Sequence, residues 1–163
     1  MFRIGIDIGS VSINLVVMDE KGTIVRDQYI RHKGKPFHIA GDLLRECAGA
    51  YNVDFIATTG TGASLFASLI GAAFINEIIA IEKSFSYLYP TTGSVVDIGG
   101  EDSKLIIFEP GGKKQGTLRV KDFSMNALCA AGTGSFLDQQ ASRLCFTIEE
   151  FSEVALKSKN PPR

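Results

Sequence analysis

Two short segments of this 163-residue chain combine an aspartate with glycine in a pattern that suits phosphate binding. Ile6-Asp7-Ile8-Gly9-Ser10 lies near the beginning, and Val96-Asp97-Ile98-Gly99-Gly100 follows at an offset of 90 residues (97 − 7 = 90). A tight turn of glycine and serine exposes successive backbone N–H groups, which can bind anionic oxygens. An aspartate at the end of the preceding strand can hold Mg²⁺ through water. Two such turns facing each other would bind the β- and γ-phosphates of ATP from both sides.

The candidate site residues follow from these two segments. Asp7 and Asp97 are expected to organise Mg²⁺ and so to be catalytic. The residues expected to bind phosphate are Gly9, Ser10, Ser12, Gly99, Gly100 and Ser103. Gly132-Thr133-Gly134, where a helix is predicted to begin, could face a further nucleotide phosphate. An ordinary glycine hairpin is the alternative for either copy alone, and two copies at one offset favour phosphate binding.

The offset of 90 residues continues beyond the two aspartates. Leu15 matches Leu105, and Gly22 matches Gly112. Each copy predicts a strand, a glycine turn, a second strand, a second turn and a third strand, near 23–30 and near 115–123. Further elements are predicted as helices at 37–51, 63–71, 77–89, 134–144 and 148–157 and a strand at 54–58. Thr147 and Glu150 predict a capping box for the last helix.

The repeated segment resembles the phosphate-1 and phosphate-2 motifs of the actin-like ATPase superfamily, which includes actin, hexokinase, sugar kinases and DnaK-type chaperones. The resemblance implies an α/β, ribonuclease H-like fold with a mixed sheet whose three-stranded start occurs twice. We expect a first lobe over 1–91 and the beginning of a second lobe over 92–163. No fourth or fifth strand is predicted in the second copy. We therefore expect a truncated or much reduced second lobe.

Two longer motifs narrow the resemblance to one family. Residues 97–104, Asp-Ile-Gly-Gly-Glu-Asp-Ser-Lys, are similar to that family's Asp-Ile-Gly-Gly-Gln-Asp-Ser-Lys. Residues 125–137 contain Cys-Ala-Ala-Gly-Thr-Gly and are similar to its Met-Asn-Asp-Lys-Cys-Ala-Ala-Gly-Thr-Gly-Arg-Phe-Leu. Over essentially its whole length, the chain resembles the BadF/BadG/BcrA/BcrD ATPases. These are the activators of 2-hydroxyacyl-CoA dehydratases and relatives of benzoyl-CoA reductase subunits.

The resemblance implies a homodimer that couples ATP hydrolysis to delivery of a low-potential electron to an acyl-CoA dehydratase or reductase partner. In this family a 4Fe–4S cluster is shared by two subunits that each supply two cysteines, and Cys129 matches the first of them. A helix beginning near Gly132 would stabilise a thiolate and an anionic cluster. A buried free cysteine beside a glycine-rich loop is the alternative for Cys129.

The chain departs from the family pattern at several positions. Cys145 follows Cys129 by only 16 residues (145 − 129 = 16) and does not match the second cluster cysteine. Asn14 replaces the lysine of the first turn, whereas Lys104 is retained in the second and is expected to bind phosphate. Glu101 replaces a glutamine and would place a carboxylate near the γ-phosphate. There it could position the attacking water or a cation, or lower nucleotide affinity, and we count it as catalytic.

Two further family features are missing. The family's histidine after the mid-chain glutamate is absent, since Glu77 is followed by Ile78-Ile79-Ala80-Ile81. The adenosine-binding segment of the second lobe is also absent, so we expect weak or no ATPase activity from these 163 residues.

Composition excludes several classes of function. The formal net charge is −1 and no long Lys/Arg run occurs, so we expect no nucleic-acid or membrane-surface partner. The most apolar stretch, 63–75, is too short for a membrane span, and we expect a cytoplasmic protein. Cys47, Cys129 and Cys145 are expected to be buried reduced thiols. His32 and His38 are expected to be exposed and not metal ligands.

Three functions remain open at this point. The first is the ATPase of a dehydratase activator. The second is an amino-sugar kinase of the same superfamily, which would need an aspartate base in a sugar-binding loop, and neither Asp42 nor Asp54 suits that role. The third is a non-catalytic nucleotide-binding module. Gly60-Thr61-Gly62, a phosphate-facing loop or an ordinary strand–helix turn, does not discriminate between them.

Overall fold

The computed structural model describes residues 1–111, 116–126 and 132–161. In chain order the elements are β1 (Phe2–Ile8), β2 (Ser12–Met18), β3 (Ile24–Arg31), α1 (Pro36–Ala50), β4 (Val53–Thr59), α2 (Ala63–Ile70), β5 (Ala73–Phe74), α3 (Glu77–Leu88), β6 (Ser94–Ile98), β7 (Ser103–Pro110), β8 (Leu118–Asn126), α4 (Gly134–Arg143) and α5 (Ile148–Leu156). The predicted order of strands and helices is confirmed, with ends close to those expected from the sequence.

The first five strands form a mixed sheet in the order β3-β2-β1-β4-β5. β2 pairs antiparallel with β1 and β3, whereas β4 pairs parallel with β1 and β5. At the end of β1, Asp7 lies opposite Asn14 on β2 and Thr59 on β4. The pairing therefore brings three polar residues to neighbouring positions beside the first glycine turn.

One face of this sheet packs against α1 and α2. Apolar residues alternate along β1 and β2, so every second side chain points to this face. The buried core consists of Ile4, Ile6, Ile8, Ile13, Leu15, Val17, Ala40, Leu43, Cys47, Ala63 and Phe66. Burial raises the pKa of the Cys47 thiol. The thiol therefore stays protonated and unreactive in the core.

Local sequence signals set the helix ends. Pro36 occupies the first position of α1, where its missing N–H costs no helical hydrogen bond. Helix α2 is followed by Gly71 in the left-handed conformation, with φ of 69°. At the start of α5 the Thr147 hydroxyl accepts the Glu150 N–H, and the Glu150 carboxylate accepts the Thr147 N–H. The predicted capping box is therefore confirmed.

Strands β6, β7 and β8 form a second sheet in that order. Its buried residues, Ile106, Phe108 and Leu118, pack with partly buried apolar residues that include Ile78 and Phe85 of α3. Asn76 caps α3 by accepting the Ile78 N–H. Within the described part of the chain, none of the helices has both the length and the apolar character that crossing a bilayer requires.

The two copies of the repeat bury opposite faces of their strands. In the first copy Ile6, Ile8, Leu15 and Val17 are at most 1% exposed. Their equivalents in the second copy, Val96, Ile98, Leu105 and Ile107, are 66%, 59%, 42% and 36% exposed. The second copy instead buries the alternate positions, Ile106 and Phe108. Both faces of these strands are apolar in sequence, so the packing of α3 decides which one is covered.

The chain divides into two compact units. One contains Met1–Val95 and the described residues of Ile106–Phe123, and the other contains Val96–Leu105 and those of Ser124–Arg163. The first glycine turn lies in the first unit, and the second turn lies in the second with α4 and α5. The division into lobes at 1–91 and 92–163 stays a prediction.

A buried carboxylate in the first unit predicts a pH-dependent stability. Glu82 of α3 is 9% exposed, accepts the Val120 N–H at 3.1 Å and pairs with Lys83 at 2.9 Å. The bond from Lys83, followed by that from Val120, lowers the pKa of Glu82 below its usual 4.5. Because the folded-state pKa is lowered, this stabilisation is full above the unfolded value and is lost as the pH falls through the folded one.

We therefore expect Glu82→Gln to cost about 1–2 kcal/mol at pH 7, since a charge-assisted bond is lost. The difference from the wild type should shrink as the pH falls from 4.5 through the lower folded-state pKa, because the carboxylate is protonated first in the unfolded and then in the folded protein. Urea unfolding at several pH values measures it, and exposed Glu153→Gln is the matched control. A Glu82→Gln difference that stays constant with pH contradicts this expectation.

Candidate functional site

The first glycine turn joins β1 to β2. The Gly9 N–H donates to the Ser12 carbonyl oxygen at 3.0 Å, which closes a four-residue turn with Ser10 and Val11 at its tip. Gly9, Ser10 and Ser12, all predicted to bind phosphate, are thus adjacent, and each is partly accessible.

The Asp7 carboxylate lies beside this turn in a fixed position. The Asn14 side-chain amide donates to Asp7 Oδ2 at 3.3 Å. Gly60 has a φ of 96°, and a Cβ atom built on it would lie 2.3 Å from Asp7 Oδ1. The backbone at Gly60 therefore approaches the carboxylate as closely as only glycine permits. On the neighbouring strand, the buried Thr59 hydroxyl has no hydrogen-bond partner within the described ranges.

The loop at Gly60-Thr61-Gly62 packs directly on the end of β1. The Gly62 N–H donates to the Ile8 carbonyl oxygen at 3.1 Å. Thr58, which is buried, contacts the carbonyl oxygens of Ala63 and Ala73 through its hydroxyl, at 3.3 and 3.4 Å. This loop thus supports Asp7, a role that the sequence alone did not indicate.

The second glycine turn repeats the backbone geometry of the first. The Gly99 N–H donates to the Asp102 carbonyl oxygen at 2.9 Å, which is the bond expected at an offset of 90 residues (99 − 9 = 102 − 12 = 90). Gly100 and Glu101 form its tip, and Glu101 is exposed. The repeat therefore extends from sequence to hydrogen bonding.

Lys104 is buried beside two carboxylates. Its Nζ atom lies 2.9 Å from each carboxylate oxygen of Asp102 and 3.6 Å from Asp97 Oδ2, and its side chain is 2% exposed. The ammonium group thus neutralises part of the negative charge next to Asp97. Neighbouring Ser103 points to the opposite face of β7, because side chains alternate along a strand. The strand therefore does not bring the Ser103 hydroxyl to the side of Lys104.

The first residues of α4 donate hydrogen bonds to the second turn. The Gly134 N–H donates to the Gly99 carbonyl oxygen at 2.9 Å, and the Ser135 N–H donates to that of Gly100 at 3.0 Å. The Ser135 hydroxyl also donates to Gly100. Thr133 is buried and Gly132 is exposed. The first two amides of this helix are thus used by the turn, and Ser135 is a contact that the sequence did not reveal.

The predicted exposure is confirmed for His38 and wrong for His32. His38 is exposed and its Nδ1 lies 2.9 Å from the Asp42 carboxylate. His32 is only 7% exposed, and its Nε2 lies 3.2 Å from the Gly9 carbonyl oxygen. The sequence Arg31-His32-Lys33-Gly34 is polar throughout, so nothing in it indicated that this ring packs against the first turn.

The aspartates at the two turns fit Mg²⁺ held through water. Mg²⁺ usually takes one or two carboxylates and completes its shell with water and substrate phosphates. Each turn thus has one carboxylate beside it, Asp7 at the first and Asp97 at the second, and the buried Thr59 hydroxyl near Asp7 offers a partner for ordered water. The described residues contain no group of three or more His, Cys, Asp or Glu placed to hold a metal by themselves.

The cysteines do not complete an iron–sulfur site. Cys129 lies outside the described residues, as do the turn residues Lys113 and Lys114. Cys47 is buried as predicted, but Cys145 is exposed at the end of α4, which corrects the expectation of a buried thiol. A four-cysteine cluster shared by two copies needs two ligands from each. The chain has one cysteine that matches the motif, so the residues present do not fit a complete set.

Comparison with known proteins identifies a family and relatives that this chain resembles. The sequence model of the BadF/BadG/BcrA/BcrD ATPase family matches residues 4–163. The activator of lactoyl-CoA dehydratase from Anaerotignum propionicum is 33% identical over an alignment of 157 residues, covering 94% of this chain and 58% of that protein.

Two solved structures have the same fold. The activator of the 2-hydroxyisocaproyl-CoA dehydratase from Clostridium difficile, with bound ADPNP, gives a TM-score of 0.80 at 25% identity and covers 99% of this chain and 59% of its own. Component A of (R)-2-hydroxyglutaryl-CoA dehydratase from Acidaminococcus fermentans gives 0.76 at 27% identity, covering 99% and 61%.

This chain spans less than two thirds of the length of each of these relatives. The structural matches confirm the predicted α/β, actin-like ATPase fold. The family match covers nearly every residue, including both glycine turns. The chain therefore belongs to the BadF/BadG/BcrA/BcrD ATPase family.

Proposed function

We propose that this chain binds Mg·ATP through its two glycine turns and acts as the ATPase part of a dehydratase activator. The observation that carries the proposal is the repeated turn: the same N–H to carbonyl bond occurs at Gly9 and Gly99, each directly after a strand that ends with Asp-Ile. The family match and the ADPNP bound to one structural relative support the same conclusion.

Each turn contributes amides and one carboxylate. In the first turn Gly9, Ser10 and Ser12 would bind phosphate oxygens, and in the second turn Gly99 and Gly100 would do so. Asp7 and Asp97 would hold waters of the Mg²⁺ shell. When bound, Mg²⁺ neutralises charge on the phosphate oxygens, and catalysis of phosphoryl transfer rests on such positioning and electrostatics. Exposed Glu101 is the candidate for orienting the attacking water.

The proposal extends to the assembly by analogy with the relatives. We place the chain in a cytoplasmic homodimer that passes a low-potential electron from a 4Fe–4S cluster to a 2-hydroxyacyl-CoA dehydratase or a benzoyl-CoA reductase-like partner. Cys129 would be the cluster ligand. An exposed thiol such as Cys145 suits a reducing compartment. No described residue is assigned to the electron step.

Calorimetric titration with Mg·ATP, and separately with Mg·tripolyphosphate, tests the phosphate site. We expect Mg²⁺-dependent binding of both ligands, because the turns contact phosphates and not the base. Asp7→Asn and Asp97→Asn should each weaken binding about tenfold or more, which is ~1.4 kcal/mol. Exposed Asp54→Asn on β4 should bind as the wild type does. An affinity that does not depend on Mg²⁺ and is unchanged in both aspartate variants contradicts the proposal.

Further measurements separate the activator from the alternatives. Release of ADP that depends on an added amino sugar supports the kinase, and binding without turnover in the presence of the dehydratase partner supports the non-catalytic module. Anaerobic reconstitution with iron and sulfide, carried out on a longer protein that contains this chain, tests the cluster. Charge-transfer absorption that disappears in its Cys129→Ala variant supports the cluster, and identical spectra of the two proteins contradict it.

A further inference from the structure

We propose that His32 positions the first phosphate-binding turn by fixing the direction of its peptide groups. His32 follows β3 and is 7% exposed. Its ring Nε2 lies 3.2 Å from the Gly9 carbonyl oxygen, and its backbone N–H donates to the Val11 carbonyl oxygen at 3.2 Å. One residue outside the turn therefore contacts two of the carbonyl groups that flank Ser10.

The neighbouring backbone determines which ring nitrogen carries the proton. The Gly34 N–H points at His32 Nδ1 at 3.1 Å, and a backbone amide can only donate. Nδ1 must therefore accept, so the neutral imidazole carries its proton on Nε2. Nε2 in turn faces a carbonyl oxygen, which can only accept. Both ring nitrogens are thus satisfied by one tautomer, in which Nε2–H donates to Gly9.

The loop after β3 is shaped for this contact. The Lys35 N–H donates to the His32 carbonyl oxygen at 2.9 Å, which closes a tight turn. Both central residues have positive φ, 48° for Lys33 and 80° for Gly34. A lysine in this conformation is strained by about 1 kcal/mol. The strained turn is what directs the Gly34 N–H toward Nδ1.

Fixing a carbonyl group also fixes the amide that follows it. A trans peptide is planar, so the C=O of one residue and the N–H of the next point in opposite directions. The bond from His32 to the Gly9 carbonyl oxygen therefore turns the Ser10 N–H away from His32. Ser10 is one of the residues assigned above to phosphate binding. Its amide is thus oriented before any ligand arrives, which lowers the cost of binding.

In the second turn a different group donates to the equivalent carbonyl oxygen. Gly99 is equivalent to Gly9, and its carbonyl oxygen accepts the Gly134 N–H from the start of α4. In the first turn the equivalent carbonyl oxygen is contacted by a histidine side chain. The two copies of the repeat thus place a donor on the same carbonyl, one from a helix and one from His32. Such agreement between copies indicates that this contact belongs to the turn's function.

Two substitutions separate the roles of the ring nitrogens. His32→Gln keeps a side-chain N–H at the reach of Nε2 and loses the acceptor for Gly34. His32→Asn keeps an acceptor near the position of Nδ1 and loses the donor to Gly9. Exposed His38→Gln is the control for loss of a histidine. All measurements use the 163-residue chain.

Nuclear magnetic resonance without nucleotide decides the inference. Imidazole ¹⁵N shifts should show the proton of wild-type His32 on Nε2. Hydrogen exchange at the Gly9 N–H, which closes the turn, should be about tenfold faster in His32→Asn and near wild type in His32→Gln and His38→Gln. A proton on Nδ1, or equal exchange rates in the two His32 variants, overturns the inference. The tautomer is read on the wild type, so a variant that fails to fold leaves the test intact.

The consequence for ligand binding rests on the proposed function and has its own readout. Titration with Mg·tripolyphosphate should give about tenfold weaker binding for His32→Asn than for His32→Gln. If the wild type binds no phosphate ligand but the resonance results are as expected, the proposed function fails and the role of His32 stands. Equal affinities in all variants of a binding-competent wild type contradict the role of His32 in phosphate binding.

Discussion

Replacing Gly60 with alanine is expected to destabilise the protein by roughly 3–5 kcal/mol. Two penalties act together at this position. The φ of 96° is one that L-residues rarely adopt, and the added Cβ would lie 2.3 Å from Asp7 Oδ1 and 2.6 Å from the Ile8 carbonyl oxygen. One contact is with backbone, so it cannot be relieved by rotating a side chain. Relief requires that the loop move away from the end of β1.

Gly71→Ala is the matched control for this prediction. Gly71 also has a positive φ, 69°, but no atom lies within 4 Å of a Cβ built there. We expect it to cost only about 1–2 kcal/mol, which is the conformational penalty alone. Urea unfolding of both variants gives the two values. Equal losses in the free energy of unfolding would show that the loop at Gly60 moves to accommodate the added Cβ atom without a clash with Asp7.

Gly60→Ala should also weaken ligand binding at the candidate site. Because Asp7 Oδ1 and the Ile8 backbone would have to shift, we expect Gly60→Ala to lose Mg·ATP binding in solution conditions where it remains folded. Gly71→Ala, which lies at the end of α2, should keep it. Titration at low temperature, where both variants are folded, makes the comparison. Unchanged binding by Gly60→Ala would contradict the role of this loop in holding Asp7.

Most of the fold could be predicted because local signals and the repeat agree. Alternating apolar residues predicted β1 and β2, helical periodicity predicted the helices, and the Thr147 capping box predicted where the last helix begins. Glycine turns with an aspartate before them predicted two equivalent hairpins. These features depend on neighbours in sequence, which is the information that a single sequence contains.

The buried face of the second sheet could not be predicted for a physical reason. Leu105 and Ile107 are as apolar as Ile106 and Phe108, so strand β7 is apolar on both faces. By the offset of 90 residues, Leu105 and Ile107 are equivalent to Leu15 and Val17, which are buried in the first copy. The structure buries Ile106 and Phe108 because they pack with α3. Only tertiary contact decides between two faces of equal hydrophobicity.

The residues that support the site were also hidden in the sequence. His32 belongs to no motif, and the motifs that contain Gly60 and Ser135 did not indicate what either residue contacts. His32 and Ser135 each contact the backbone of a turn through two hydrogen-bonding groups, and Gly60 approaches the Asp7 carboxylate closely. Chemistry-bearing residues can thus be found by type and spacing, whereas the residues that position them depend on the completed fold.

The two turns differ in charge, and this difference predicts that Lys104→Asn strongly destabilises the protein. Asp102 and Lys104 in the second turn stand where the first has Ser12 and Asn14, so an ion pair replaces two neutral residues. Lys104→Asn would leave Asp97 and Asp102 close together without the buried ammonium group that now contacts both. Lys104 is buried, whereas the Asp102 and Asp97 side chains are 27% and 37% exposed, so solvent screens part of the lost attraction. We therefore expect a loss of about 2–3 kcal/mol, below the range for a fully buried ion pair.

The first turn supplies the compensating change. Asp102→Ser combined with Lys104→Asn gives the second turn the neutral pair of the first, and no uncompensated carboxylate remains beside Asp97. We expect the double variant to recover at least half of the stability that Lys104→Asn loses, because charge and not side-chain shape causes most of the loss. Exposed Lys121→Asn should change stability by less than about 0.5 kcal/mol. Urea unfolding of the four proteins forms the measurement.

The same variants also test whether Lys104 neutralises the carboxylates or contacts the ligand. If its role is to neutralise Asp102 and orient Asp97, the double variant should regain Mg·ATP affinity together with stability, since Asp97 keeps its charge and its place at the end of β6. If Lys104 contacts phosphate directly, stability should return and affinity should not. A double variant no more stable than Lys104→Asn would contradict the charge argument itself, because the first turn shows that a serine and an asparagine can occupy these positions.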